Sequence, residues 1–255
     1  MSSIKELYDQ CDGILLLSGA GMSVDSGLPD FRGKTGMWSS DKEAFYRFAT
    51  ANAFKKELKA TWGYYINRHL AYTTTKPHAG YDLIKELNKD TFFVTSNVDQ
   101  HFRYSGYAEE NILEIHGSYK LVQCVERCDT ELYSFPKFDM TLKNNGELVG
   151  DPPTCPKCGA YIRPNIMMFD DPNFNFRYVD YQFENFAKWR ENKKFILGIE
   201  IGAGLTIPSI RLMSMDYTQA LIRINVYDFD VSREQDISIS DTAANGLTQI
   251  LNEIK

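Results

Sequence analysis

The sequence has little of what marks a membrane or secreted protein. Its apolar run Ile14–Leu17 is four residues long, against the about 20 a helix needs to span a bilayer. The opening Met1-Ser-Ser-Ile-Lys-Glu-Leu7 has no basic stretch followed by an apolar one, so no signal peptide is expected. Cysteine is scarce and odd in number: five, with four in two close pairs and Cys11 alone. That pattern fits metal binding better than a disulfide framework. Positive charge is also short, with 28 Lys and Arg against 34 Asp and Glu and a net charge of -6. So acidic a chain lacks the phosphate-neutralising surface that direct nucleic-acid binding requires. Internal repeats and low-complexity tracts are missing too. The expectation is a soluble, intracellular, cytoplasmic protein; its oligomeric state is not legible.

What is present suffices for a well-buried core. Across 255 residues, 43% are apolar and 13% aromatic, enough for one large domain with or without a small inserted one. Short apolar runs at residues 13–18, 91–95, 195–201 and 221–226 read as strands buried on both faces. Helical patterns lie between them, from near Pro77 through Leu83, Ile84 and Leu87, and again around 180–191. This alternation predicts an α/β fold built on a Rossmann-like parallel sheet covered on both sides. Two stretches break the rhythm. Residues 41–70 space Phe45, Phe48, Phe54, Leu58, Trp62 and Tyr65 along one side of helical structure. Residues 121–163 are polar, turn-rich and hold both cysteine pairs. The expected division is a Rossmann-like domain from 1–40, 76–120 and 164–255, with a helical module (41–75) and a zinc module (121–163) forming a smaller lobe.

In open parallel sheets ligands bind beyond the carboxyl ends of the strands, so chemistry is sought there. After the first strand come Gly19-Ala20-Gly21 and then Asp30-Phe31-Arg32. Glycines at such a turn let backbone amides approach a pyrophosphate, and the acid, aromatic and cation together suit a cofactor loop. After the second strand come Asn97 and Asp99, which in isolation also read as helix caps. After the third come Gly202 and Gly204. The pairs Cys124/Cys128 and Cys155/Cys158 can close a tetrahedral, structural zinc site with no open position.

The run Gly19-Ala-Gly-Met-Ser23 followed by Ser26-Gly-Leu-Pro-Asp-Phe-Arg32, with Thr95-Ser-Asn-Val-Asp99 and His116-Gly117 eight residues before Cys124, resembles the sirtuin family over nearly the whole chain. The resemblance implies NAD bound by Gly19, Ala20, Gly21, Asp30, Phe31, Arg32, Asn97 and Asp99. It also implies adenosine contacts from Gly202, Gly204 and Asn225, and His116 as general base. An imidazole, with an unperturbed pKa of about 6.5, suits removal of a ribose hydroxyl proton near neutrality. The segment Ile166, Met167 and Phe169 resembles the family's acyl-lysine channel, although a core strand is an equally physical reading; Met in place of the family's Val gives a softer wall. Tyr65 and Arg68, one helical turn apart, resemble the pair found in sirtuins that prefer acidic acyl groups, and read otherwise as an ordinary helix face.

The implied activity is NAD-dependent deacylation of lysine on a protein substrate, a transfer of the acyl group that yields nicotinamide and O-acyl-ADP-ribose. Three features depart from the family: Ser96 replaces a Gln, Gly202-Ala203-Gly204 lacks the family's hydroxyls, and Cys124-x3-Cys128 has one residue more than usual between its thiols. The first two keep open a mono-ADP-ribosyltransferase, against which His116 weighs. A non-catalytic NAD sensor is the other alternative.

Overall fold

The structure is a computed structural model that describes residues 3–30 and 42–255. Six strands run parallel in one sheet: β1 (Gly13–Ser18), β2 (Thr91–Thr95), β3 (Ile112–Glu114), β7 (Ile196–Ile201), β8 (Ala220–Ile224) and β9 (Ile237–Ile239). Their order is β3-β2-β1-β7-β8-β9, the doubly wound arrangement in which the chain leaves the middle of the sheet in both directions. β1 is the central strand, with Leu16 paired to Phe93 on one side and to Ile199 on the other.

Alternation along β1 sends its side chains to opposite faces. Ile14 and Leu16 join Phe93, Ile199, Ile222 and Leu247 in one buried cluster, whereas Leu15 and Leu17 join Phe92, Val94, Phe186 and Ile210 in the other. Each face is covered by helices. The C-terminal helix Ala243–Ile254 lays Leu247, Ile250 and Leu251 on the first, and the helix Arg177–Arg190 lays Val179 and Phe186 on the second. The helix Ile4–Gln10 begins with a capping box, Ser3 Oγ accepting from the Glu6 amide at 3.2 Å while Glu6 Oε2 accepts from the Ser3 amide at 2.8 Å.

A second, antiparallel sheet holds β4 (Gly117–Cys124), β5 (Tyr133–Ser134) and β6 (Ile162–Ile166) in the order β5-β4-β6. It packs with the helix Leu58–Thr74 around a third cluster that includes Phe54, Trp62, Tyr119, Val122, Leu148 and Ile162. The stretch expected to be helical at 41–70 is three helices, Lys42–Phe48, Ala53–Lys56 and Leu58–Thr74. Glu57 divides the last two, at φ -137 and ψ 53. The predicted helix after Pro77 is a single α-turn, Gly80–Leu83, continued as the 3-10 helix Ile84–Leu87.

Candidate active site

Gly19 and Gly21 follow β1 and Gly202 follows β7, so all three lie where the strand order reverses. Their backbones touch. The Gly21 amide donates to the Gly202 carbonyl at 3.0 Å, and the Gly19 amide to Ile201 at 3.0 Å. A Cβ on Gly21 would fall 2.6 Å from the Gly202 Cα, and one on Gly19 would fall 2.8 Å from the Ala203 Cα. Gly202 itself has φ +62. Glycine here lets two loops interlock. The chain then enters the 3-10 helix Ala20–Ser26, closed by Gly27 at φ 91.

Above these loops lies a cavity of about 720 Å³, within the size range of cofactor sites. Gly19, Ala20, Gly21 and Asp30 line it from the first loop, Gly202 and Gly204 from the second, and Asn225 from the end of β8. Asn225 Nδ2 donates to the Ala203 carbonyl at 3.0 Å, and its Oδ1 accepts the amides of Tyr227 and Asp228 at 3.1 Å each. Phe31 and Arg32 lie outside the described residues.

Ser96 and His116 line the other end of the cavity. His116 sits between β3 and β4, where Gly117 (φ +78) has its absent Cβ position 2.1 Å from the Asn165 carbonyl oxygen. The His116 carbonyl accepts from the Met167 amide at 2.9 Å, tying the histidine to the end of β6. Burial pushes the imidazole pKa below its ordinary value, and a hydrogen bond to the Ser96 backbone only partly opposes this. The ring is therefore neutral at neutral pH, the state a base requires.

Asn97 and Asp99 stand behind the first loop and are not among the residues lining the cavity. Asn97 Nδ2 donates to the Gly19 carbonyl at 3.0 Å and to Ser23 Oγ at 3.2 Å; Ser23 Oγ in turn donates to Asp99 Oδ2 at 2.6 Å. Asp99 Oδ1 also accepts the His101 amide at 3.0 Å. The two residues thus fix the glycine loop through Ser23, a link that the sequence offered only as part of a motif string. Phe169 lines the cavity with Phe45 and Tyr46 and packs edge-on to Phe45, centroids 5.6 Å apart. Ile166 and Met167 are packed inside, Ile166 in the third cluster and Met167 against the second. Tyr65 is buried and stacked on Phe54 at 5.4 Å. Arg68 donates to the Tyr72 and Tyr64 hydroxyls. Neither lines the described cavity. Asp25, Asp228, Asp241 and Thr242, none of them singled out from sequence, do line it. The helix-start signal Asp241-Thr242 before Ala243 could have pointed to the last two.

Away from the cavity, the sulfurs of Cys124, Cys128, Cys155 and Cys158 lie within 4.8 Å of one another, with Cys124–Cys158 and Cys128–Cys155 at 3.6 Å. Four sulfurs at 2.3 Å from a tetrahedral zinc stand about 3.8 Å apart. The donor set and its spacing fit that ion.

The Sir2 family profile matches residues 19–189. Among curated proteins, the NAD-dependent protein deacetylase of Caldivirga maquilingensis is 30% identical over 249 residues, covering 94% of this chain and 88% of that one. The NAD-dependent protein deacylase of Aquifex aeolicus is 26% identical over 245 residues, covering 95% of each. Among solved structures, the ADP-ribose complex of a Sir2 homologue mutant superposes with a TM-score of 0.75 at 22% identity, covering 100% of this chain and 96% of that one. The last likeness bears on the fold.

Proposed function

The chain belongs to the Sir2 family, and from that premise we propose that it is an NAD-dependent protein lysine deacylase with His116 as its base. One observation carries the reading: a half-buried imidazole, its pKa lowered by desolvation, lines the same cavity as the interlocked glycine loops. NAD, when bound, supplies the ADP-ribosyl acceptor and loses nicotinamide. Gly19, Ala20, Gly21, Asp30, Phe31 and Arg32 are assigned to hold it, with Gly202, Gly204 and Asn225 at the adenosine half. Asn97 and Asp99 act from behind, by clamping the first loop through Ser23. His116 takes a ribose hydroxyl proton, and the apolar wall of Phe45 and Phe169 limits the access of competing water.

The acyl-lysine enters beside Phe169, assisted by Ile166 and Met167 as the floor. Phe45, Tyr46 and Phe169 give that mouth an apolar wall, which favours an uncharged acyl group such as acetyl. Tyr65 and Arg68 are engaged elsewhere, by Phe48 and by Tyr64 and Tyr72, so preference for an acidic acyl group is the weaker reading. Zinc, held by Cys124, Cys128, Cys155 and Cys158, is structural. It belongs to the smaller lobe, which we assign to residues 41–75 and 121–163. Four thiolates kept for a metal suit a reducing cytoplasm. No described helix is long and apolar enough to cross a membrane.

The test is mass spectrometry of reactions containing NAD and acetyl-, succinyl- or lipoyl-lysine peptides. The expected products are nicotinamide and O-acetyl-ADP-ribose, formed fastest from the acetyl peptide. ADP-ribosylated protein in their place would assign the chain to the transferases, and no release of nicotinamide would make it a sensor.

A further inference from the structure

Among the described residues, every charged side chain lining the cavity is a carboxylate: Asp25, Asp30, Asp228 and Asp241. Two of these are committed to the C-terminal helix. Asp25 Oδ2 accepts the Ala244 amide at 2.9 Å, and Asp241 Oδ1 accepts the Thr242 amide at 2.7 Å and Asn245 Nδ2 at 2.9 Å. Asp228 is different. Its backbone is clamped at both ends, the amide by Asn225 Oδ1 at 3.1 Å and the carbonyl by the Arg211 guanidinium, while its carboxylate forms no hydrogen bond or ion pair among the described residues. A fixed backbone presenting an uncommitted carboxylate to a cavity is a recognition element for hydroxyl groups and a barrier to anions.

The strand order says which part of a ligand meets it. Ser96 and His116 close one end, beyond β2 and β3; Asn225 to Asp228 and Asp241 to Ala243 close the other, beyond β8 and β9. A dinucleotide whose reacting ribose lies at His116 therefore has its adenosine at the Asp228 end. There Ile207, Val226 and Tyr227 offer apolar surface for the base, leaving Asp228 for the ribose hydroxyls. We infer that Asp228 is the residue that makes this site select NAD and reject NADP. Its carboxylate accepts a hydrogen bond from the adenosine ribose 2′-hydroxyl and repels a phosphate at that position. Arg211, which donates to the Asp228 carbonyl, does not offset the repulsion. Its guanidinium is spent on the carbonyls of Ala203 and Asp228 and lies 3.8 Å from the buried Glu200. The inference rests on the NAD reading above and adds the determinant of cofactor choice.

Calorimetric binding of NAD, NADP and ADP-ribose to the full chain tests it, with wild type, Asp228→Asn and Asp230→Asn compared. Asp230 is exposed and outside the cavity lining. The expected result is NADP bound about 100-fold more weakly than NAD by wild type and by Asp230→Asn. In Asp228→Asn the gap narrows by about tenfold or more through tighter NADP binding, with NAD affinity within about threefold. The wild-type chain gives an independent reading, because a repulsion between charges weakens with salt: the NAD/NADP ratio falls as ionic strength is raised from about 0.05 to about 0.5 M. Equal affinity of wild type for the two dinucleotides, or a ratio unmoved by both Asp228→Asn and salt, overturns the inference and leaves NAD binding standing. Failure of NAD and ADP-ribose alike to bind overturns the NAD reading itself.

Discussion

At the scale of single residues, the proposed reaction depends on a histidine that must stay neutral. Burial holds the His116 pKa below its ordinary value, so its working, unprotonated form is populated above that lowered pKa and is lost only as pH falls through it. We expect the acid limb of kcat/KM to have its midpoint below about 6.5, measured as nicotinamide release across pH 5–9; a limb centred well above 7 would contradict the assignment. His116→Ala should lower deacylation by at least about 100-fold while NAD affinity changes little. Gly202 carries the opposite kind of role, with no chemistry and one permitted shape. At φ +62, and with a Cβ placed 2.4 Å from the Gly21 carbonyl carbon, Gly202→Ala must part the two loops. A stability loss of about 2 kcal/mol with weakened NAD binding is expected in denaturant melts and calorimetry. The glycines were legible in the sequence and their partners were not. Spacing along the chain says that Gly19 and Gly21 follow a strand, but their contact with Gly202 is made only by strand order. The same limit hid Ser23, which lies more than 70 residues from Asn97 and Asp99 in sequence and joins the two through its hydroxyl.

At the scale of elements, the strands buried on both faces were readable because apolar residues dominate them: β1, β2 and β7 fall within the apolar runs and β8 begins one residue before its run, while Glu200 of β7 and Arg223 of β8 pair with each other at 2.6 Å inside the core. β3 and β9 are three-residue edges of the sheet, too short to show a period. Residues 121–163 hold little regular structure, so their fold must come from other sources. One is a buried ion pair: Arg163 and Asp171 meet at 2.7 Å, their side chains 2% and 1% exposed. Asp171→Ala strands an uncompensated guanidinium and should cost about 3 kcal/mol or more of unfolding free energy, read by denaturant titration. The other is the four-sulfur site. One zinc per chain is expected by elemental analysis. Its removal by a strong chelator should lower Tm by several degrees, restored by zinc alone. A melting curve indifferent to chelation and to Cys158→Ser would remove zinc from the account.

At the scale of the whole molecule, the six-stranded order brings together segments that the sequence keeps apart. The loops after β1 and β7 meet at the reversal point, β3 delivers His116, and β8 delivers Asn225 and Asp228. The C-terminal helix closes the far end, where Asp25 accepts the Ala244 amide across the length of the chain. Motif strings pointed to candidate residues for the chemistry, because backbone approach, imidazole basicity and thiolate ligation each demand particular residue types. They could not reveal that Asn97 and Asp99 work from behind the loop, or that Phe45 and Tyr46 join Phe169 at the mouth, since those relations exist only after folding. The central claim is geometric: one cavity holds a dinucleotide with its reacting ribose beside His116. A crystal structure of the chain with bound NAD measures that directly. The account predicts the diphosphate over Gly19–Gly21 and a nicotinamide-ribose hydroxyl within about 3 Å of the His116 imidazole, directly or through one water. A dinucleotide bound elsewhere, or bound here with its ribose out of the imidazole's reach, would contradict it.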